Sequence, residues 1–216
     1  MAARRRVRAR LRDAKAQLAR DFLIEAAEQC FAEKGVDGTK MEEIAREAGL
    51  ALATIYELCG GKAGLASAVH EARLDAMLGG MEAASAGLDE PFEALVAGVR
   101  SAVENFIAHP NYLRINLREG HAWGLREIKP LLPRVVEAAW RRTIDWMVPI
   151  FEEGIRRGVF HPDPPELMAR RTNAYVQVQM ATWLEDPERM TPEETMADLE
   201  RQLRRAFCRP RPRDPA

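Results

Sequence analysis

Cysteine is scarce in this chain, and so are aromatic residues, charge of a single sign and long apolar runs. The three cysteines, Cys30, Cys59 and Cys208, cannot all pair with one another, and none stands in a CxxC or a Cys/His cluster. That spacing indicates neither a disulfide framework nor a zinc site, so reduced and mostly buried thiols are expected. Lysine and arginine total 32 against 33 acids, a net charge of −1, so polycationic character cannot be invoked for the chain as a whole. No eighteen apolar residues run together, and the start, Met1-Ala2-Ala3-Arg4-Arg5-Arg6, lacks the apolar stretch of a secretory signal. A cytoplasmic protein without a membrane partner is expected. No nucleophile with an ordered base, no phosphate loop and no metal-ligand spacing is found, so neither an enzyme nor a bound cofactor or metal is expected.

What the sequence has is helix-forming residues. Aromatics make up only 6%, and Ala, Leu, Glu and Arg outnumber the usual strand formers in a chain of 216 residues that is 47% hydrophobic. An all-α fold follows. Its charge is unevenly placed: Arg4, Arg5, Arg6, Arg8, Arg10, Arg12, Lys15 and Arg20 face a single acid, Asp13, within the first twenty residues, a local +7. Residues 1–15 are expected to be a basic, flexible arm, either a solubilising tail or a nucleic-acid contact.

Phe22, Leu23, Ala26, Ala27, Cys30 and Phe31 form an apolar stripe that predicts a first helix over about 16–34, ending near Gly35. Thr39, three residues before Glu42, has capping-box spacing and predicts the start of a second helix with Met41, Ile44, Ala45 and Ala48 on its buried face. Gly49 breaks that helix before a third, about Leu50 to Leu58. Helix, short Gly-containing turn and helix is the arrangement of a helix-turn-helix.

Further on, the break at residues 85–91 leads into a helix from Pro91 to His109 with Phe92, Leu95, Val96, Val99, Val103, Phe106 and Ile107 on one face. A helix around Asn111–Trp123 follows, then a long one from about Leu131 to Arg157, where Pro149 predicts a kink and Gly158 the end. Helices over Pro165–Glu185 and Pro192–Phe207 precede a Pro/Arg tail, 209–216.

Taken in order, Phe31-Ala32-Glu33-Lys34-Gly35, Thr39, Ile44-Ala45-Arg46-Glu47-Ala48-Gly49-Leu50, Thr54-Ile55-Tyr56 and Lys62-Ala63-Gly64-Leu65 resemble the DNA-binding signature of the tetracycline-repressor (TetR/AcrR) family. The likeness covers residues 20–68; beyond them it is organisational, with Glu152 to Phe160 similar to a stretch many members carry between bundle helices. The resemblance implies a helix-turn-helix DNA-binding domain over 16–65 and a helical effector-binding and dimerisation domain over 66–208. It implies a ligand-responsive transcriptional regulator: a repressor that leaves a palindromic double-stranded operator when a small molecule of unknown identity binds, and that acts as a homodimer in the nucleoid.

Carried onto matching positions, Thr39, Tyr56 and Lys62 are the expected phosphate contacts, with Arg4, Arg5 and Arg6 of the arm beside them. A plain N-cap, a half-buried phenol and a solvated lysine are the structural alternatives. The recognition helix departs from the family's pattern. Ala51-Leu52-Ala53 offers no side-chain hydrogen bond to base edges, Thr54 is the sole polar side chain from 51 to 55, and Leu52 and Ala53 can meet only thymine methyls. Glu57 follows Tyr56 where a carboxylate would repel DNA. Residues 21–65 hold four basic and nine acidic side chains, a net −5, so attraction to DNA must come largely from the arm.

In the second domain, the polar and aromatic material for a ligand pocket includes Tyr112, Arg114, Asn116, Arg118, His121, Trp123, Trp140, Trp146, Asn173 and Gln177; ordinary core or solvated residues are the alternative. Leu167, Ala174, Tyr175, Val178, Ala181 and Leu199 are candidates for the dimer interface, with intramolecular core as the equal alternative. Two other classes stay open: a helix-turn-helix-derived dimeric adaptor with weak DNA binding, and a small all-helical enzyme built on Arg118, Glu119 and His121.

Overall fold

The computed structural model describes the main chain of residues 2–118 and 135–210, and leaves aside the side chains of residues 2–5, 8, 9, 13 and 135–140. Among the described residues the fold is helical: α1 (Ala2–Gly38), α2 (Met41–Ala48), α3 (Leu52–Cys59), α4 (Lys62–Ser85), α5 (Pro91–Ala108), α6 (Pro110–Arg118), α7 (Val135–Arg156), α8 (Pro165–Glu185) and α9 (Pro192–Phe207). No described helix is long and apolar enough to cross a membrane. The chain divides into two compact units, Met1–Ala72 and Arg73–Ala216, and α4 runs through the division.

The N-terminal segment corrects one expectation. Residues 2–15 are not a flexible coil but the first turns of α1. Nothing between Ala2 and Lys34 interrupts a helix: the stretch contains neither Gly nor Pro and is rich in Ala, Arg, Leu and Gln. Once the packed half of the helix exists, each added residue gains a hydrogen bond without a new nucleation cost. The helix is broken at Gly35, whose φ of 75° is a left-handed value, and a last turn reaches Gly38.

Leu23, Ala26, Ala27 and Phe31 of α1 are buried as their spacing requires, but Phe22 is not; it is 53% exposed. It continues an outward stripe of Val7, Leu11 and Leu18, at i, i+4, i+11 and i+15, all more than half exposed. Inside the first unit, Ile44 of α2, Ile55 of α3 and Leu65 of α4 close the core at 0–1% exposure. Each such side chain contributes about 1.5–3 kcal/mol by leaving water.

The second unit is centred on Phe151 of α7, whose ring lies 5.2 Å from Phe160 and 5.1 Å from Phe207 between centroids. Leu95 and Val99 of α5, Met180 of α8 and Leu199 of α9 pack into the same core. Pro149 lies within α7. α9 opens with a formed capping box, in which Thr191 Oγ accepts from Glu194 N and Glu194 accepts from Thr191 N. Its end is pinned by His161 N donating to Phe207 O and Arg209 N donating to Val159 O, both 2.9 Å.

Candidate functional site

Among the described residues, the α2–turn–α3 face of the first unit and an apolar pocket in the second have the form of a site. The turn is set by Gly49, which caps α2 at φ 64°, a left-handed conformation that Cβ-bearing residues seldom adopt, and its N–H reaches back to the carbonyls of Ala45 and Arg46. Leu50 N donates to Ala45 O at 3.0 Å, and α3 begins two residues later than the sequence suggested, at Leu52.

On α3 only Ile55 is buried; Ala53, Tyr56 and Glu57 are exposed, with Tyr56 at 49%, and Leu52 and Thr54 are half-buried. The helix therefore turns one apolar residue into the core and leaves a short face, which includes Ala53 and Tyr56, open to a partner.

Thr39 is placed otherwise than expected. Its side chain is buried, at 2% exposure, and its hydroxyl is turned inward onto the carbonyls of Gly35 at 2.7 Å and Cys30 at 3.1 Å. It neither caps α2 nor faces solvent. The cap falls one residue later: Lys40 is the N-cap, and its N–H donates to Glu43 rather than Thr39 pairing with Glu42. A single hydroxyl proton cannot serve a buried carbonyl and a phosphate together, so the side chain contributes to the shape of the α1–α2 link.

Lys62 is tied to that link as well. Its ammonium donates to Asp37 O at 3.0 Å and to Thr39 O at 3.1 Å. Two of its three protons are thus engaged, and the third is the one left for an outside acceptor. Lys34 Nζ lies 2.8 Å from Glu43 Oε1 and joins α1 to α2. That hydrogen bond, with the Lys40 N–H, holds the Glu43 carboxyl below the usual carboxylate range and raises Lys34. Burial pushes the half-buried Cys30 thiol up, and Glu47 adds to the shift. Arg6, Arg10 and Arg12 of α1 are exposed, while the side chains of Arg4 and Arg5 lie outside the described residues.

The pocket of the second unit has an apolar wall made by Met77 and Met81 of α4, Val99 and Phe106 of α5, Met147 of α7 and Val176 of α8. Tyr112 of α6 also lines it, stacked on Phe106 with ring centroids 6.2 Å apart and 13° between planes. The polar rim is Asn116, Thr143, Asn173 and Gln177, and Asn173 Nδ2 donates to Thr143 Oγ1 at 3.0 Å.

Asn173 and Gln177, two of the candidate ligand residues, line this pocket. Arg114 and Arg118 do not: both are exposed on α6, and Arg114 donates to Asn111. Trp146 is also off the pocket, because its ring sits against Gly98, where a Cβ would come within 2.2 Å. His121 and Trp123 lie outside the described residues, as does the Trp140 side chain. The methionines and Leu74 were missed. Their spacing on α4, at 74, 77 and 81, was a signal of one helix face.

Among the interface candidates, Leu199 is withdrawn: it is 0% exposed in the core and presents nothing to a second chain. Val178 at 58% and Leu167 at 41% are exposed on α8; Ala174 and Ala181 are half-buried, and Tyr175 packs edge-on to Phe207 at 6.3 Å.

Helix, glycine turn and short open helix, carried ahead of a separate helical unit with a pocket, define a helix-turn-helix protein of two all-α units. Residues 23–69 match the family model of bacterial regulatory proteins, tetR family. That stretch of the first unit is what the chain has in common with the tetR family of bacterial regulatory proteins. The fold of the chain is shared with solved structures at low identity. One, from Shewanella sp. PV-4 and assigned to the tetR family, is 18% identical over 89% of this chain and 99% of its own, with a TM-score of 0.73. The TetR-family regulator PfmR from Thermus thermophilus is 22% identical over 85% and 97%, at 0.69. FadR from Bacillus subtilis, solved with stearoyl-CoA, is 17% identical over 84% and 96%, at 0.72. No curated protein matches the sequence.

Proposed function

We propose that this protein is a repressor that binds a palindromic operator as a homodimer and is released by a small molecule in the pocket of its second unit. The observation that carries the reading is the exposed face of α3, with Ala53 and Tyr56 in the open while Ile55 alone anchors the helix. A short helix held by one buried residue at the end of a glycine turn is shaped to enter a major groove. Tyr56 positions the helix on phosphate, and Leu52, Ala53 and Thr54 meet base edges. The third proton of Lys62 is available to the same backbone. Thr39 acts only through the link it shapes.

Arg4, Arg5 and Arg6 now belong to a helix rather than a coil, so the arm follows phosphate along its length and does not thread the minor groove. A single α3 reads too few base pairs for useful selectivity, which calls for a two-fold dimer with half-sites about 34–36 Å apart. The outward side of α8, with Leu167, Ala174, Val178 and Ala181, supplies its surface. α4 contributes Lys62 to the first unit and Leu74, Met77 and Met81 to the pocket. An effector that favours a conformer with misplaced α3 helices lowers operator affinity by linkage.

A mobility shift on DNA upstream of the protein's own gene, with excess random competitor at two salt concentrations, tests the reading. A competitor-resistant complex of dimer stoichiometry supports it. Equal loss to random DNA at both salts would favour the adaptor reading, to which Ala51-Leu52-Ala53 and the −5 charge of residues 21–65 lend weight.

A further inference from the structure

From the side chains of the pocket we infer the chemical class of the effector: an uncharged, mainly apolar molecule carrying one hydroxyl or carbonyl group, held at that group by Asn173 and Gln177. The inference rests on the reading of this pocket as the effector site. Asn173 and Gln177 stand four residues apart on α8 and so project from the same side of the helix. Both line the pocket, on a helix whose neighbouring inward residues are Val176 and Met180.

The amide of Asn173 is oriented by its donation to Thr143 Oγ1 at 3.0 Å. That bond uses one N–H and leaves its second N–H and its Oδ1, beside the whole amide of Gln177. A cluster of amide donors and acceptors can satisfy a hydroxyl, which both donates and accepts, or a carbonyl, which accepts. It cannot neutralise a full charge. An ammonium or carboxylate carried into this mainly apolar pocket would exchange part of its water shell for neutral dipoles, and its uncharged form would be favoured. Among the described lining residues none is charged.

The opposite wall accounts for the rest of the molecule. Met77, Met81 and Met147 are flexible thioethers that adapt to an irregular apolar surface, and the stacked Phe106–Tyr112 pair offers a flat aromatic one. The free space is about 70 Å³ for a water-sized sphere, room for on the order of five waters. A single-ring compound is of that size.

Three probes that share a propylphenyl body separate the possibilities: 4-propylphenol, propylbenzene and 4-propylbenzoate, titrated calorimetrically into the full-length protein. The phenol is expected to bind at least about tenfold more tightly than either the hydrocarbon or the carboxylate. Asn173→Leu and Gln177→Leu should each shrink the preference for phenol over propylbenzene, while propylbenzene binding persists and reports an intact pocket. Tighter binding of the carboxylate, failure of all three probes to bind, or a phenol preference that survives in both variants overturns the inference. Release of DNA is scored separately. If the phenol binds as expected but leaves the protein–DNA complex intact, release by an effector is refuted and the ligand class stands. If 4-propylbenzoate releases DNA, the effector reading stands and the neutral-ligand inference falls.

Discussion

The ammonium of Lys62, the first residue of α4, donates to the carbonyl of Thr39, the residue whose own hydroxyl is folded back onto Gly35 and Cys30. A lysine expected as a phosphate contact is at the same time a strap across the α1–α2 link. Lys62→Met removes two charge-assisted bonds, one of them to the part-buried carbonyl of Thr39. A loss of about 1–2 kcal/mol in unfolding free energy is expected, read as a lower urea midpoint with an unchanged m-value. A lysine that met only DNA would leave the midpoint where it is.

Gly98 of α5 faces the ring of Trp146 of α7 in the second unit, with the place of a missing Cβ 2.2 Å from the indole ring. Gly98→Ala should cost about 1–3 kcal/mol through overpacking and alter the tryptophan emission. Combining it with Trp146→Leu should recover part of that loss, because the two changes share one contact. Strict additivity in the double variant would show that the ring is not what Gly98 accommodates.

Leu199 and Val178 separate core from interface. Leu199→Ala opens a hole beside Leu203 and Met196 and should cost about 2–5 kcal/mol in thermal unfolding. Val178→Arg sits on an exposed position and should leave the fold intact while lowering the mass seen in sedimentation toward that of one chain. An unchanged mass for Val178→Arg would take the interface off this side of α8.

Glu43 gives a pH dependence of known sign. Its folded carboxyl titrates below the ordinary range because Lys34 and the Lys40 N–H hold the ionised form. A depressed folded value means that its contribution is complete above the unfolded value and is lost as pH falls through the folded one. Glu43→Gln should therefore be less stable than the parent at neutral pH, with the two unfolding curves converging in acid. A gap that widens on acidification contradicts the assignment.

The helical N-terminus is open to a direct check. Removing residues 2–12 should lower the molar helicity by the ellipticity of those turns, whereas loss of a coil would leave it nearly unchanged. The truncated protein should also show a shallower salt dependence on all DNA, with little change in preference among sequences.

Much of this architecture was legible. The 3.6-residue spacing of Phe92, Leu95, Val99 and Val103 found α5, Pro165 and Pro192 marked the starts of α8 and α9, and Gly49 marked the turn. The misses have local causes. Capping logic chose Thr39 over Lys40 because a hydroxyl three residues before a glutamate is the commoner cap, while tertiary burial took that hydroxyl for Gly35 and Cys30. Charge density argued for a coil at residues 2–15, and helix propensity prevailed. Pocket residues were sought among polar and aromatic side chains; Tyr112, Asn116, Asn173 and Gln177 line the pocket, whereas Trp146, Arg114 and Arg118 do not. Its apolar wall uses Met77, Met81 and Met147, whose composition says core as readily as cavity until neighbouring helices decide what fills the space.

The uncovered row of Val7, Leu11, Leu18 and Phe22 bears on how the protein behaves in the test tube. The same stretch of sequence carries a local +7, whose repulsion between copies would be felt within about a Debye length. Concentrated salt, heparin or bulk nucleic acid cancels the repulsion without hiding the apolar row. Colloidal stability is then set by how much polyanion is present, and clarity of the solution during purification becomes a readout of the nucleic acid left behind.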